Sequence, residues 1–136
     1  MKLKIGHHYR EQWQLQWNNS NSAHRKMKPS LGNTLFHGIT RRHQKVLTRL
    51  RLGACVFTHS HFYSGSPPPD CPACKCRLTI QHVLIDCHRF SCERQLMQQH
   101  CSQAGLTLNL VNILSPDFPA SMVIQYLNAI QYTNKI

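Results

Sequence analysis

The stretch DCPACKCRLTIQHVLIDC, residues 70 to 87, gathers four of the chain's seven cysteines and one of its ten histidines. Thiolates and imidazoles at that density are the donors of a tetrahedral zinc site, and two cysteines separated by two residues can chelate one ion from a tight turn. Cys71 and Cys74 have that spacing, with Pro72 between them to stiffen the turn. His82 and Cys87 follow, so the expected site is C-x2-C-x7-H-x4-C, with Cys71, Cys74, His82 and Cys87 holding Zn. Cys76 is the competitor. Chelation by Cys74 and Cys76 would leave Cys71 spare and crowd the ring, so Cys76 is expected to remain a free thiol. His59, His88 and Cys92 are lesser candidates, more readily read as packed or surface residues.

Four protein ligands leave no vertex for a reacting water, which makes the expected ion structural rather than catalytic. The zinc deaminase pattern, H-x-E followed by P-C-x-x-C, fails here. The only glutamate before PDCPAC is Glu11, and the residue two before it is Tyr9. The remaining acidic residues, Asp70, Asp86, Glu93 and Asp117, are scattered without the spacing of a two-metal carboxylate centre. No enzymatic activity is expected of the chain itself.

The site needs elements to aim it. If LTIQHVLIDC is helical, His82 and Cys87 lie five positions apart, about 140° from a shared direction. The helix is therefore expected to end or tighten near Asp86, turning Cys87 back toward the ion. Thr79 is the expected N-cap, and Leu78, Ile80, Val83 and Leu84 supply apolar faces. SGSPPPD, residues 64 to 70, is a rigid approach, since three consecutive prolines donate no backbone hydrogen bonds.

Elsewhere the periodicity is helical. RRHQKVLTRLRL places Val46, Leu47 and Leu50 on one side and Arg41, Arg42, Lys45, Arg49 and Arg51 mostly on the remaining arc. Thr40 suits the N-cap and Gly53 the stop. Tyr9, Trp13 and Trp17 recur every four residues between 8 and 19, most simply a core-facing stripe, with a base-stacking platform as the functional reading. Residues 20 to 38 read as loop, and Cys55 to Tyr63 as helix or strand. Ser91 can cap a helix over 91 to 103, with Phe90, Leu96 and Met97 apolar and Gly105 ending it. In the last helix Val123, Tyr126, Leu127 and Ile130 are spaced i, i+3, i+4, i+7. The expected fold is mainly α: a small helical domain with a zinc-stabilised CCHC knuckle. It divides into residues 1–38 (N-terminal helix and basic loop) and 39–136 (helical zinc-binding module) of one structural domain.

Lys and Arg number 16 against 5 Asp and Glu. The excess is lopsided: up to residue 61 Glu11 is the only acid, so nearly all the net charge lies in the first half. Such a field favours a polyanion, because each neutralised phosphate releases a condensed counterion. The expected contacts to an RNA or DNA phosphate backbone are Arg41, Arg42, Lys45, Arg49 and Arg51; a solvated basic face with no partner is the alternative. MKLKIGHHYR lacks the apolar run of a secretory signal, and no later stretch approaches a membrane span. A nuclear or cytoplasmic, non-secreted protein is expected, and its reduced thiols favour metal over disulfides.

The segment VLTRLRLGACVFTHSHFYSGSPPPDCPACKCRLTIQHVLIDCHRFSCERQ resembles the region that follows the ribonuclease H domain in polyproteins of jockey-like non-LTR retrotransposons. The shared pattern runs through Leu47 to Arg51, Gly53, Thr58, His59, Pro67 to Pro69, Cys71, Cys74, Leu78, Thr79, His82, Leu84, Cys87 and Arg94. Weaker likeness extends it over about residues 10 to 136. Where the family has Gly-His-Thr, this chain has Gly53, Ala54 and Cys55. The resemblance implies a zinc-binding C-terminal module of an element-encoded reverse transcriptase (an RNA-directed DNA polymerase), handling element RNA or target DNA. Docking to the reverse transcriptase and ribonuclease H domains of the same element is the alternative role. Lacking their catalytic carboxylates, the chain is expected to be a fragment without the catalytic domains.

Overall fold

In the computed structural model, which describes residues 2–32 and 38–136, the chain runs through five helices before the cysteine segment. These are α1 (Lys2–Asn19), α2 (Ala23–Met27), α3 (Arg41–Leu52), α4 (Val56–His59) and α5 (His61–Ser64). After it come α6 (Ser91–Gln103), α7 (Leu110–Ile113) and α8 (Ala120–Ala129). The fold is mainly helical, as the periodicities require. Among the described residues, β pairing is confined to one antiparallel bridge between Asp70 and Arg77. No helix among them is long and apolar enough to cross a membrane.

α3 frames the molecule, and its limits follow from its ends. The Thr40 side chain accepts from the His43 N–H at 3.3 Å. Gly53 closes the helix at φ 75°, a left-handed conformation in which a side chain would be strained. Val46, Leu47 and Leu50 are buried, and so is Arg51, at 7 % exposure. That last placement departs from the basic face drawn from sequence. Arg51 directly follows Leu50 and falls on the edge of the apolar arc, where its Nε donates to the Leu114 carbonyl at 2.7 Å.

α8 buries Val123, Tyr126 and Leu127, with Ile130 buried at its C-cap, the stripe its spacing predicts, and packs against α6. On α6 the buried stripe is Arg94, Met97 and Cys101. Leu96, expected on the apolar face, is 61 % exposed because it stands one residue, about 100°, away from that stripe. Ser91 opens the helix instead of capping it, the cap position being Phe90.

α1 corrects the core-facing reading of its aromatic residues. Trp13 is 61 % exposed and Tyr9 is exposed as well. Among the described residues, the hydrogen bonds that tie the helix to the following segment come from its C-terminal half. Trp17 Nε1 donates to the Lys28 carbonyl, Gln14 Nε2 donates to that of Pro29, and Gln14 Oε1 accepts from Leu31 N–H, each at 2.8 Å. The expected loop over 20 to 38 contains α2, whose Met27 joins the core and which packs on α3 and α7. Residues 33–37 of that loop lie outside the described residues. The segment from Cys55 to Tyr63 resolves into two short helices, α4 and α5.

Candidate metal centre

Cys71 and Cys74 sit in a tight hairpin. Leu78 N–H donates to the Pro69 carbonyl at 2.9 Å, Cys71 N–H to that of Cys76 at 2.8 Å, and Lys75 N–H to that of Cys71 at 2.8 Å. Lys75 takes φ 57°, a left-handed conformation that costs a non-glycine residue roughly 1–2 kcal/mol. The chain reverses between Cys71 and Cys76, and the Cys71 and Cys74 sulfurs come within 4.8 Å of each other.

His82 and Cys87 come from the following helical turn. Thr79 Oγ1 accepts from the His82 N–H at 3.0 Å, the cap expected at that position. The turn then widens, where tightening was expected: His82–Asp86 is a π-helix, closed by the Cys87 N–H on the His82 carbonyl at 2.7 Å. In an i→i+5 turn, residues five apart stack one above the other, as residues four apart do in an α-helix. Widening therefore brings His82 and Cys87 to the same side without breaking the helix. Cys87 leaves in extended conformation.

One ligand atom from each of Cys71, Cys74, His82 and Cys87 lies within 4.8 Å of all the others. Sulfurs about 2.3 Å from a zinc ion stand about 3.8 Å apart at the vertices of a tetrahedron. Cys71 Sγ is 3.9 Å from Cys87 Sγ, and Cys74 Sγ is 3.7 Å from it. The donor set and its edges fit one zinc ion, held by the four residues that the spacing singles out. Cys71, His82 and Cys87 are buried and Cys74 is half-buried. Burial raises the Cys71 thiol, but hydrogen bonds from the backbone N–H groups of Cys74 and Ala73 and from the His82 ring outweigh it, bringing it down to about 6. Burial pushes the Cys87 thiol up to about 11.

A π-turn frees carbonyls, and buried carbonyls need donors. Tyr126 Oη donates to the Val83 carbonyl. Burial pushes the Tyr126 phenol up to about 12, so it remains a donor throughout the ordinary pH range. Arg94 is buried on α6, with Nε on the Leu84 carbonyl and Nη2 on that of Cys87, both at 2.8 Å. α6 and α8 thus hold the ligand-bearing turn through its backbone. The sequence pattern marks Arg94 only through the resemblance; no spacing rule identifies a carbonyl clamp.

Cys76 is exposed, with its Sγ 3.4 Å from His82 Nδ1 and 3.8 Å from Nε2. His88 places Nδ1 3.1 Å from Cys74 Sγ. His59 instead contacts the Thr58 hydroxyl, and Cys92 is exposed on α6.

The cations expected to meet phosphate divide. Arg41, Arg42 and Lys45 are exposed on α3. Arg49 is exposed too and donates to the Ile136 carbonyl, whereas Arg51 is buried. A cavity of about 580 Å³ beside the start of α3 is lined by Arg42, His43, Asn128, Gln131, Thr133, Asn134 and Lys135, with no carboxylate. Arg42 is oriented there by a hydrogen bond to Asn134 Oδ1. Comparison of the chain with protein-family models, curated proteins and solved structures finds no match.

Proposed function

We propose that the chain is a zinc-stapled module that binds nucleic acid through phosphate contacts and corresponds to the C-terminal region of a non-LTR retrotransposon reverse transcriptase polyprotein. The observation that carries the binding role is the cationic corner of α3. Arg41, Arg42 and Lys45 are exposed there, and the groove shared by Arg42, His43 and Lys135 contains no acidic side chain. Amide and hydroxyl groups line the rest of the groove, so a phosphate there would meet donors rather than apolar walls. The element assignment is supported by the cysteine, histidine and LTRLR pattern alone.

Four cations neutralising four phosphates give log affinity a slope of about −3.6 against log salt on duplex DNA and about −2.8 on single strands. Filter binding of RNA and duplex DNA across a salt series measures it. Arg42→Ala combined with Lys45→Ala should make the duplex slope shallower by about 1.8. A flat salt response in the unaltered protein, or no binding at low salt, would remove the proposal.

A second reading is favoured by a different surface. Tyr63 is 94 % exposed and Phe62 68 %, with Val56 exposed nearby in the chain. Three apolar side chains left in water suit a protein partner, and the polyprotein's reverse transcriptase and ribonuclease H domains are the natural candidates. A complex with them that persists in high salt, beside a flat salt response on nucleic acid, would favour this docking role.

A further inference from the structure

On α1 the aromatic row Tyr9, Trp13 and Trp17 is anchored at one end and open at the other. Trp17 is half-buried, bonded through Nε1 to the Lys28 carbonyl and set edge-on to the His24 ring with 5.9 Å between centroids. From that anchor the row runs out into solvent, with Trp13 61 % and Tyr9 53 % exposed. Tyr9 is steadied from the side. The His8 ring stands at 65° to it, 5.9 Å between centroids, and Gln12 Nε2 donates to His8 Nε2 at 3.0 Å. At about 100° per residue, Trp13 lies about 40° round the helix from Tyr9, and Gly6 and Arg10 each fall within about 60° of one ring or the other. A Cβ at Gly6 would meet nothing within 4 Å, so the surface beside the rings is open. Arg10 is exposed. Glu11, the only acidic residue up to position 61, lies about 160° round the helix from both rings, with its carboxylate 3.3 Å from His7 Nδ1.

From this arrangement we infer that α1 carries a stacking platform for single-stranded nucleic acid, on which unpaired bases lie against Trp13 and Tyr9 while Arg10 meets an adjoining phosphate. The inference rests on the nucleic-acid reading and adds to it a second contact surface and a preference for unpaired strand. Residues four apart on a helix are separated by a rise of about 6 Å. Bases stacked in a duplex strand are about 3.4 Å apart and cover one another's faces. Rings about 6 Å apart therefore take bases that have been drawn away from their neighbours, and only an unpaired strand offers those along its length. The charge beside the rings has the sign that a phosphate backbone needs, and the one carboxylate is turned away. Gly6 and Arg10 beside the rings do not make the continuous apolar wall that a protein helix or a bilayer would fill. Every base has a π-face, so the platform tolerates any sequence.

Binding of oligothymidylate, and of its duplex with oligoadenylate, to the zinc-loaded chain tests it by fluorescence anisotropy at one salt concentration. Trp13→Ala should weaken the single strand by about five- to a hundredfold, and Trp13→Phe, which keeps a ring, should recover most of that loss. Duplex affinity should change by less than about twofold and the salt slope should stay, since an indole neutralises no phosphate. The single strand should also quench the indole emission of the unaltered chain, and far less that of Trp13→Phe, where only the anchored Trp17 remains. Equal losses on both probes, no loss on the single strand, or no quenching overturns the platform and leaves salt-dependent phosphate binding in place. Failure of the unaltered chain to bind either probe overturns the nucleic-acid reading with it. A dimer that dissociates in Trp13→Ala, or an indole shift on anionic vesicles that Trp13→Phe lacks, each with oligonucleotide affinity unchanged by Trp13→Ala, would assign the face to a second copy or to a lipid surface and overturn the platform.

Discussion

Arg94→Met removes both donors that α6 sends into the ligand-bearing turn while keeping the apolar stem of the side chain. The Leu84 and Cys87 carbonyls then lose the guanidinium bonds, both 2.8 Å long. A buried acceptor left without its donor costs about 1–3 kcal/mol. The Leu84 carbonyl is expected to bear the full cost. The Cys87 carbonyl keeps a long bond from Phe90 N–H at 3.3 Å, so its loss is partial. The expected destabilisation is about 2–4 kcal/mol, a large part of the roughly 5–15 kcal/mol that holds a domain folded. Arg94→Lys, with one amino group in place of a planar fork, should recover about half of it.

The same substitution loosens a ligand, because Cys87 loses its backbone anchor. Outer-shell losses of this kind weaken metal sites by about 10–100-fold. Urea unfolding of the zinc-loaded protein at fixed free zinc measures the first effect, and competition with a chromophoric chelator measures the second. An unfolding free energy within about 0.5 kcal/mol of the unaltered protein, with unchanged zinc affinity, would show that other groups satisfy these carbonyls.

Chelation of the metal, or Cys71→Ser, should abolish the cooperative fold. A structural zinc contributes about 10–16 kcal/mol near neutral pH, as much as a small domain's whole stability. Circular dichroism with and without a strong chelator checks this, and an unchanged helical spectrum in the metal-free protein would refute it. In the loaded protein Cys92, exposed on α6, should alkylate early, whereas Cys55 should resist. Burial pushes the Cys55 thiol up to about 12, so its reactive thiolate stays scarce from about pH 6 to 9 and grows only as the pH approaches that value. Mass mapping after a short pulse decides; Cys55 labelled near pH 8 as fast as Cys92 would be the contrary result.

What the sequence discloses and what it conceals follow the range of the interactions involved. The ligand set, the Thr40 and Gly53 limits of α3 and the α8 stripe are local patterns, and each is legible in a short window. The π-turn is not, because an i→i+5 turn has no residue preference to read. It exists because distant donors, Tyr126 and Arg94, stabilise the carbonyls it frees. Arg51 misleads for the same reason: its charge places it on a solvated face, yet the Leu114 carbonyl, far along the chain, draws it inward. The Tyr9 and Trp13 spacing predicts a buried face on a periodicity that is real. What periodicity cannot supply is a neighbour for that face, and among the described residues the hydrogen bonds from α1 to the following segment come from its last turns.

The metal and the basic corner share one core. Leu47 and Leu50 of α3 belong to the same buried cluster as Val83, Leu84 and Cys87 of the ligand-bearing turn and Val123 and Leu127 of α8. The arrangement of Arg41, Arg42 and Lys45 therefore depends on the centre that organises that core. Their number does not: an unfolded chain keeps every positive charge and still attracts a polyanion. Salt slope counts neutralised phosphates and is blind to their arrangement, so it cannot distinguish a shaped site from a sticky chain. Metal dependence can. If the groove beside α3 contributes by its shape, removing zinc must lower affinity at every salt concentration while leaving the slope nearly unchanged; if charge alone binds, the metal-free protein must bind as tightly as the loaded one.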